Sequence, residues 1–340
     1  MKDPAISPQK VEVHKFGRDY SQASHIVSDP LREPGSDEIR IRNQFAGVNG
    51  LFDHMAMQGK IGYMSLSLPF DLGVEAIGRV EAAGPDSGFS VGDAVATTGL
   101  GGAYRHIQVV KGEKAYAIPS IDPQYLAIVP TGISALVALE QVAELKPGET
   151  VVITAAAGGL GHIWVQLAVN LGCRVIGIAG RNEKCDFVRS LGAENCINYR
   201  KEDVAERLKT LCPDAINVAV DTVGGTIFDA LVENLAPLGR LVVSGYASEV
   251  VEGAKPVLHP RVYEKLYWKG ASVRGFMNAL LAEHHRDAAK RLYTMMEQGE
   301  LKVSIDPTLF KGLSALPDAA NHMMSGHNIG KTILDLREPV

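Results

Sequence analysis

Val151-Val152-Ile153-Thr154-Ala155-Ala156-Ala157-Gly158-Gly159-Leu160-Gly161 reads as a short, fully buried parallel strand that runs through a turn of small residues into a helix. Ala156, Gly158 and Gly161 hold the three positions of a dinucleotide-binding fingerprint, with alanine where the first glycine commonly stands. Gly158 leaves room for a pyrophosphate to approach the backbone, and Gly161 lets the helix lie close to its strand. Beyond the turn, Leu160, Ile163, Trp164, Leu167, Ala168 and Leu171 recur on one helical face, and His162, Gln166 and Asn170 mark the opposite one. The run Ala156, Ala157, Gly158, Gly159, Leu160 and Gly161 is therefore the candidate phosphate-binding turn, with free amides and the positive helix end aimed at an anion. An ordinary strand-to-helix connection also uses small residues, so the surroundings must decide.

A second strand, Arg174 to Ala179, ends about twenty residues past the glycine run, where this fold places its ribose-reading residue. A carboxylate there would bind the free hydroxyl of NAD. The sequence instead offers Gly180-Arg181-Asn182-Glu183-Lys184, with no acid at the strand end and two cations on the loop. Arg181 and Lys184 suit a 2′-phosphate through charge-assisted hydrogen bonds, so the expected cofactor is NADPH. Two solvated residues at a helix start are the bland alternative.

A chain of 340 residues, 46% of them hydrophobic, exceeds one ordinary core and should split into two domains. The formal net charge of −5 leaves no basic surplus for a nucleic-acid backbone, and no nucleic-acid partner is expected. The richest apolar run, Leu126 to Leu139, is broken by Pro130 and Gly132, so no membrane span is expected. Met1 to Lys10 has no apolar signal region, which points to the cytoplasm or an organelle matrix. Cys173, Cys185, Cys196 and Cys212 lack the spacing of a zinc knuckle and read as small buried hydrophobes.

Short strands punctuated by glycine occupy the first third, including the alternating Glu38 to Asn43, Pro69 to Val80, Val91 to Val95, and a strand opened by Gly101-Gly102-Ala103-Tyr104 through Val110. They suggest a distorted barrel. Around Pro130 the texture changes. A helix from Ser134 to Leu145 leads into the central strand, and Arg174 to Ala179, Asn195 to Tyr199, Ile216 to Asp221 and Arg240 to Ser244 follow with helical segments between them. That order describes a doubly wound parallel sheet, with Ser272 to Gly275 as an edge. Asp287 to Gln298 and Leu313 to Met324 read as helices, and Lys331 to Asp335 as a strand returning to the first domain. The expected fold class is α/β: a barrel-like catalytic domain of residues 1–128 and 277–340, and a Rossmann cofactor domain of residues 129–276.

Gly47-Val48-Asn49, Gly73-x-Glu75-x-x-Gly78, Gly92-Asp93-x-Val95, the Ala-Ala-Ala-Gly-Gly-Leu-Gly turn, Asp221-x-Val223-Gly224-Gly225 and Asn328-x-Gly330-Lys331 together resemble the medium-chain dehydrogenase/reductase superfamily. Within it the chain is similar to the zinc-lacking quinone oxidoreductase and enone reductase branch, over nearly its whole length. The resemblance implies a GroES-like catalytic domain and a homodimer that pairs through an edge strand. It also implies that Tyr199 lies beside the 2′-phosphate, unless it is simply an aromatic closing a strand. Val223, Gly245, Tyr246, Phe276, Met277 and Asn328 match positions lining the nicotinamide half, although Val223 and Phe276 equally suit a plain core.

Zinc-dependent relatives carry cysteine where Asn49 stands and histidine where Val74 precedes Glu75; neither replacement is a usable ligand, so no metal is expected. Without a Lewis acid, alcohol oxidation loses its main electrostatic help. Reduction of a polarised double bond loses less, because hydrogen-bond donors can hold the developing enolate. The reading is NADPH-dependent reduction of α,β-unsaturated ketones or aldehydes, with quinone reduction as the near alternative and non-catalytic NADPH binding as an alternative of another class. Asn49 is a candidate donor to the substrate carbonyl or the cofactor ribose, or else only a helix cap. The spacing from Asn49 to Asp53 is one residue longer than in relatives, and the tyrosine usual after that aspartate is missing. Tyr63, Tyr246 or water is then the proton source, and His54 reads as structural. The loops Met55 to Leu68 and Ala247 to His259 would set the pocket's size.

Overall fold

A computed structural model describes residues 8–253, 256 and 261–337. Much of the expected loop from Ala247 lies within them, but Ala254, Lys255 and Val257 to His259 lie outside the described residues. The chain divides into two compact units, residues 1–130 with 305–340, and residues 131–304.

In chain order the first unit supplies β1 (Gln9–Val13), α1 (Tyr20–Ala23), β2 (Ser24–Ser28), β3 (Glu38–Gly47), α2 (Gly50–Met57), β4 (Phe70–Asp71), β5 (Glu75–Ala83), β6 (Ala94–Thr98), β7 (Ile107–Lys111) and β8 (Ala115–Ala117). The second unit supplies α3 (Ile133–Val137), β9 (Thr150–Ile153), α4 (Gly161–Asn170), β10 (Arg174–Ala179), α5 (Asn182–Ser190), β11 (Asn195–Asn198), α6 (Val204–Leu211) and β12 (Ile216–Asp221). It continues with α7 (Gly225–Glu233), β13 (Leu235–Val243), α8 (Ala247–Glu252), α9 (Tyr263–Tyr267), β14 (Ser272–Gly275) and α10 (His285–Glu297). The chain then returns to the first unit with β15 (Phe310–Lys311), α11 (Leu316–Met324) and β16 (Ile333–Asp335).

The first unit holds a three-stranded sheet, β2-β1-β4, and a seven-stranded one that runs β15-β16-β3-β5-β6-β8 with β7 also on β3. Long β3 pairs with β5 throughout, while β7 and β16 take successive stretches of its residues. Register shifts between Arg40 and Ile41 and between Asn43 and Phe45 mark irregular pairing, and irregularities of that kind bend and twist a sheet. The expected barrel character is thus realised along an open path of strand pairs. The strand expected to open at Gly101 begins only at Ile107, because Tyr104 is wholly buried in the apolar cluster instead of alternating along an edge.

The second unit is built on six parallel strands in the order β11-β10-β9-β12-β13-β14. Renumbered from β9, that order is 3-2-1-4-5-6, the doubly wound arrangement. Val151, Val152 and Ile153 are completely buried, as a central strand covered on both faces requires. Leu126 to Leu139 runs through consecutive short helical segments and is interrupted, as expected near Pro130, by a kink at Val129, whose φ −113° and ψ 114° are not helical. Pro123–Val142 is long and apolar enough to cross a membrane by length and composition, and 67% of its apolar window is buried inside the protein.

One expectation is corrected here. Residues 277–304, read as part of the first domain, belong to the second unit: Ala288, Ala289 and Leu292 of α10 are buried, α10 packs on α3, and Arg291 pairs with Glu140. The first boundary falls at 130/131, close to the expected 128/129. The polar face of α4 is partly covered, with Asn170 exposed at its end. His162 and Gln166 are buried, and the segment after α10 docks along them. Asn170 Nδ2 donates to the Glu300 carbonyl, Gln166 both donates to the Lys302 carbonyl and accepts from its amide, and Ser304 donates to His162 Nε2. Four helical residues advance about 6 Å, and two extended residues about 6.6 Å. Side chains at 162, 166 and 170 can therefore meet backbone at 304, 302 and 300 in turn.

Candidate active site

In a doubly wound sheet the ligand crevice lies beyond the carboxyl ends of the strands, where the strand order reverses. Here that point is between β9 and β12. The turn leaving β9 is fastened to both neighbours. Thr154 donates its amide to Val220 and its hydroxyl to the Asp221 carboxylate, the Thr222 amide donates back to Thr154 Oγ1, and the Ala156 amide donates to Ile178. Ala155 adopts φ +47°, a left-handed conformation that costs energy in a residue with a Cβ. A Cβ on Gly161 would lie 2.2 Å from the Ala155 carbonyl oxygen and 2.7 Å from Ala156 Cα, so close helix-strand packing demands glycine there. On Gly158 a Cβ would meet only the Ala155 oxygen, at 3.2 Å. The space above Gly158 is therefore open, as an approaching phosphate needs.

At the ends of β10 and β11, Gly180 lies under the Tyr199 ring, where a Cβ would come within 2.9 Å of the hydroxyl and 3.0 Å of ring carbons. Tyr199 is 43% exposed and its amide donates to Ala179. Arg181, half-buried, precedes α5, while Lys184 on its first turn is buried. Asn198 fixes this corner by donating to Asn182 Oδ1 at 2.7 Å and accepting from the Arg200 amide. Gly180, Arg181 and Tyr199 are thus neighbours on adjacent strand ends, with Lys184 one turn into the helix.

The ends of β12, β13 and β14 form a second cluster. Buried Asp221 accepts the Val223 and Gly224 amides, which shapes the turn into α7; burial raises its carboxyl pKa, against those bonds and the Thr154 hydroxyl. Ser248 donates its hydroxyl and amide to the Val223 carbonyl and Ala247 donates to Thr222, so Val223 adjoins the Gly245-Tyr246 corner. Phe276 donates its amide to Val243, with Met277 next to it. Val223 packs against the apolar cluster beneath the sheet, as its core alternative required, and Tyr246 is 43% exposed.

Asn49, Tyr63 and Asn328 lie in the first unit. Asn49 precedes α2 without a side-chain capping bond, which removes its helix-cap alternative. Its amide donates to Asp53 Oδ2, which also accepts the Tyr104 hydroxyl. Complete burial raises the Asp53 pKa to about 7 against the pull of those two donors. Val48 donates to Thr332, placing the Asn49 loop beside the return strand; Lys331, one residue earlier, forms a buried ion pair with Glu75. Asn328 donates to the Gly330 carbonyl and shapes the same return. Tyr63 is 54% exposed, and partial burial raises its hydroxyl pKa. His54 is buried and stacks on Tyr20, a packing role. Asp53, Tyr104 and Lys331 were not singled out as site residues; the lengthened spacing from Asn49 to Asp53 was the available signal for the first.

Zinc ligation does not fit the donor set: Asn49 and Val74 hold the ligand positions, and neighbouring Glu75 is engaged by Lys331. Cys173, Cys185, Cys196 and Cys212 are free thiols, the last three buried.

Two family models match, one described as an alcohol dehydrogenase GroES-like domain over residues 35–120 and one as a zinc-binding dehydrogenase over residues 159–298. Prostaglandin reductase-3 of Mus musculus is 35% identical over 343 residues, covering 98% of this chain and 90% of that protein. A probable quinone oxidoreductase of Leishmania amazonensis is 31% identical, covering 97% and 98%. Among solved structures, Escherichia coli quinone oxidoreductase complexed with NADPH superposes with a TM-score of 0.85 at 27% identity, covering 96% of this chain and all of that one. The two units and their turn define a two-domain, nucleotide-dependent oxidoreductase fold. The chain belongs to the medium-chain dehydrogenase/reductase superfamily, in its zinc-lacking quinone oxidoreductase and prostaglandin reductase branch.

Proposed function

We propose that the protein is an NADPH-dependent reductase of activated carbon-carbon double bonds in α,β-unsaturated ketones or aldehydes, working without zinc. The observation carrying this reading is the bare Gly180 backbone under the Tyr199 ring, beside Arg181 at a strand end without a carboxylate. Such a corner suits a 2′-phosphate, and the Escherichia coli relative was solved with NADPH. The turn formed by Ala156, Ala157, Gly158, Gly159, Leu160 and Gly161 would hold the pyrophosphate. Gly180, Arg181, Lys184 and Tyr199 would hold the 2′-phosphate, and Val223, Gly245, Tyr246, Phe276, Met277 and Asn328 would line the nicotinamide half.

NADPH, when bound, supplies the hydride that an enone accepts at its β carbon. Asn49, with no side-chain cap to maintain, offers its amide to the substrate carbonyl oxygen. Its backbone is held for that purpose by Asp53. Tyr63 and Tyr246, both exposed, are the protein's candidate donors of the proton that the α carbon requires.

A panel of enones, alkenals and quinones, followed by loss of NADPH absorbance and by product analysis, tests the reading. The expected result is a saturated ketone from an enone. The names of the Leishmania and Escherichia relatives favour quinone reduction as the second reading, and turnover of quinones alone would select it. Binding of NADPH without oxidation by any acceptor would make the protein a cofactor-binding module and overturn both.

The reading includes a cytoplasmic homodimer. Among the described residues β14 is paired only on its β13 side, and Val273 on it and Tyr263, Tyr267 and Trp268 before it are exposed. Sedimentation of the wild type and of Val273→Pro should give a dimer and a shift toward monomer; a monomeric wild type refutes the assembly. Cell fractionation checks the compartment.

A further inference from the structure

His162 is wholly buried in the first turn of α4, and both ring nitrogens are engaged. Nε2 lies 3.1 Å from the amide nitrogen of Ser304, and Nδ1 lies 2.9 Å from the carbonyl oxygen of Gly158. An amide can only donate, so Nε2 carries the lone pair. The ring proton then belongs on Nδ1, where it donates to Gly158. The backbone amide of His162 donates to the same oxygen at 3.1 Å.

Two donors on the helix side thus hold one carbonyl of the phosphate turn. In a trans peptide the following N–H points the opposite way. The Gly159 amide is accordingly turned away from α4. An amide so placed is a ready donor to an anion.

We propose that His162, as the neutral Nδ1–H tautomer, is a positioning residue for the pyrophosphate: it fixes the Gly158-Gly159 peptide so that the Gly159 amide faces the anion, and its far nitrogen anchors that peptide to Ser304. The inference rests on the NADPH reading and deepens it. Histidine suits the place because one rigid ring presents a donor and an acceptor on opposite sides. Gln166, one turn on, shows the contrasting solution: its single amide both donates to and accepts from Lys302. Ser304 is the last residue of the second unit, so the phosphate turn is linked to the point where the chain crosses over.

The test uses the full chain, titrated calorimetrically with NADPH, NADH, ADP and 2′-AMP. His162→Ala and His162→Phe should weaken NADPH, NADH and ADP by a similar factor, roughly tenfold for one misdirected hydrogen bond. Binding of 2′-AMP, which lacks the pyrophosphate, should be unchanged. Imidazole 15N shifts of the wild type should report Nδ1–H, and His162→Gln should recover part of the lost affinity. Wild-type binding by a folded His162→Ala variant overturns the proposal and leaves the NADPH reading standing; a wild type that binds no pyrophosphate ligand overturns both. If the variants do not fold, the 15N spectrum decides, because an Nε2–H or doubly protonated ring contradicts the geometry required.

Discussion

Gly158→Ala and Gly161→Ala separate packing from ligand approach within a single turn. At Gly161 the new Cβ would sit 2.2 to 2.9 Å from backbone atoms of Ala155 and Ala156. Backbone cannot step aside cheaply, so overpacking should cost about 1–3 kcal/mol. The helix propensity gained by alanine returns at most about 1 kcal/mol of that. For a unit of this size each kcal/mol lost lowers the melting temperature by about 2–4 °C. At Gly158 the Cβ meets one oxygen at 3.2 Å, and φ is not in the left-handed region. The folded protein should therefore keep its stability within about 0.5 kcal/mol. Its cofactor affinity should nevertheless fall by roughly ten- to a hundredfold, or about 1.4–2.8 kcal/mol, because the methyl occupies the space a pyrophosphate would enter. Differential scanning calorimetry without ligand, paired with NADPH titration, reads both quantities. A Gly158→Ala protein that melts and binds like the wild type would refute the placing of the phosphate.

Arg181→Ala should weaken NADPH by about 1.5–3 kcal/mol and leave NADH nearly untouched, and equal losses in both titrations would remove the 2′-phosphate assignment. Lys331→Met withdraws the ammonium from fully buried Glu75 and should cost about 3–5 kcal/mol in urea unfolding, with a second change, Glu75→Leu, restoring part of it. Asp53 titrates near 7 when folded, above its ordinary value of 3.8. The folded state therefore binds the extra proton, and this group's stabilising contribution is complete below about pH 3.8 and is lost as pH rises to about 7. Asp53→Asn should flatten that part of the stability profile, and an unchanged slope would contradict the buried placement.

The strands of the second unit were legible because parallel strands covered on both faces must be continuous apolar runs. Arg174–Ala179 and Ile216–Asp221 fall where the sequence places them. Tertiary partners distant in sequence were not legible. His162, Gln166 and Asn170 mark the face opposite the apolar one, and helical periodicity cannot announce that backbone from residues 300–304 will lie along it. The same segment explains the misplaced boundary at 276/277, since α10 carries a narrow apolar stripe that suits either unit. Spacing alone placed Gly180 and Arg181 at the end of a strand, which is where β10 ends. The Asp53, Tyr104, Glu75 and Lys331 cluster could not be found that way, since it joins α2, the segment before β7, the start of β5 and the segment before β16.

The first unit is interrupted by the whole of the second, and its β16 residues 333–335 lie beside β3 residues 45–47. A ribosome therefore delivers the six-stranded parallel unit complete while its elder neighbour still lacks two strands, β15 and β16. Cotranslational folding should begin with the unit in the middle of the chain and finish with the one that synthesis began. A release truncated before residue 333 would leave an exposed flank on β3 open to the wrong partner.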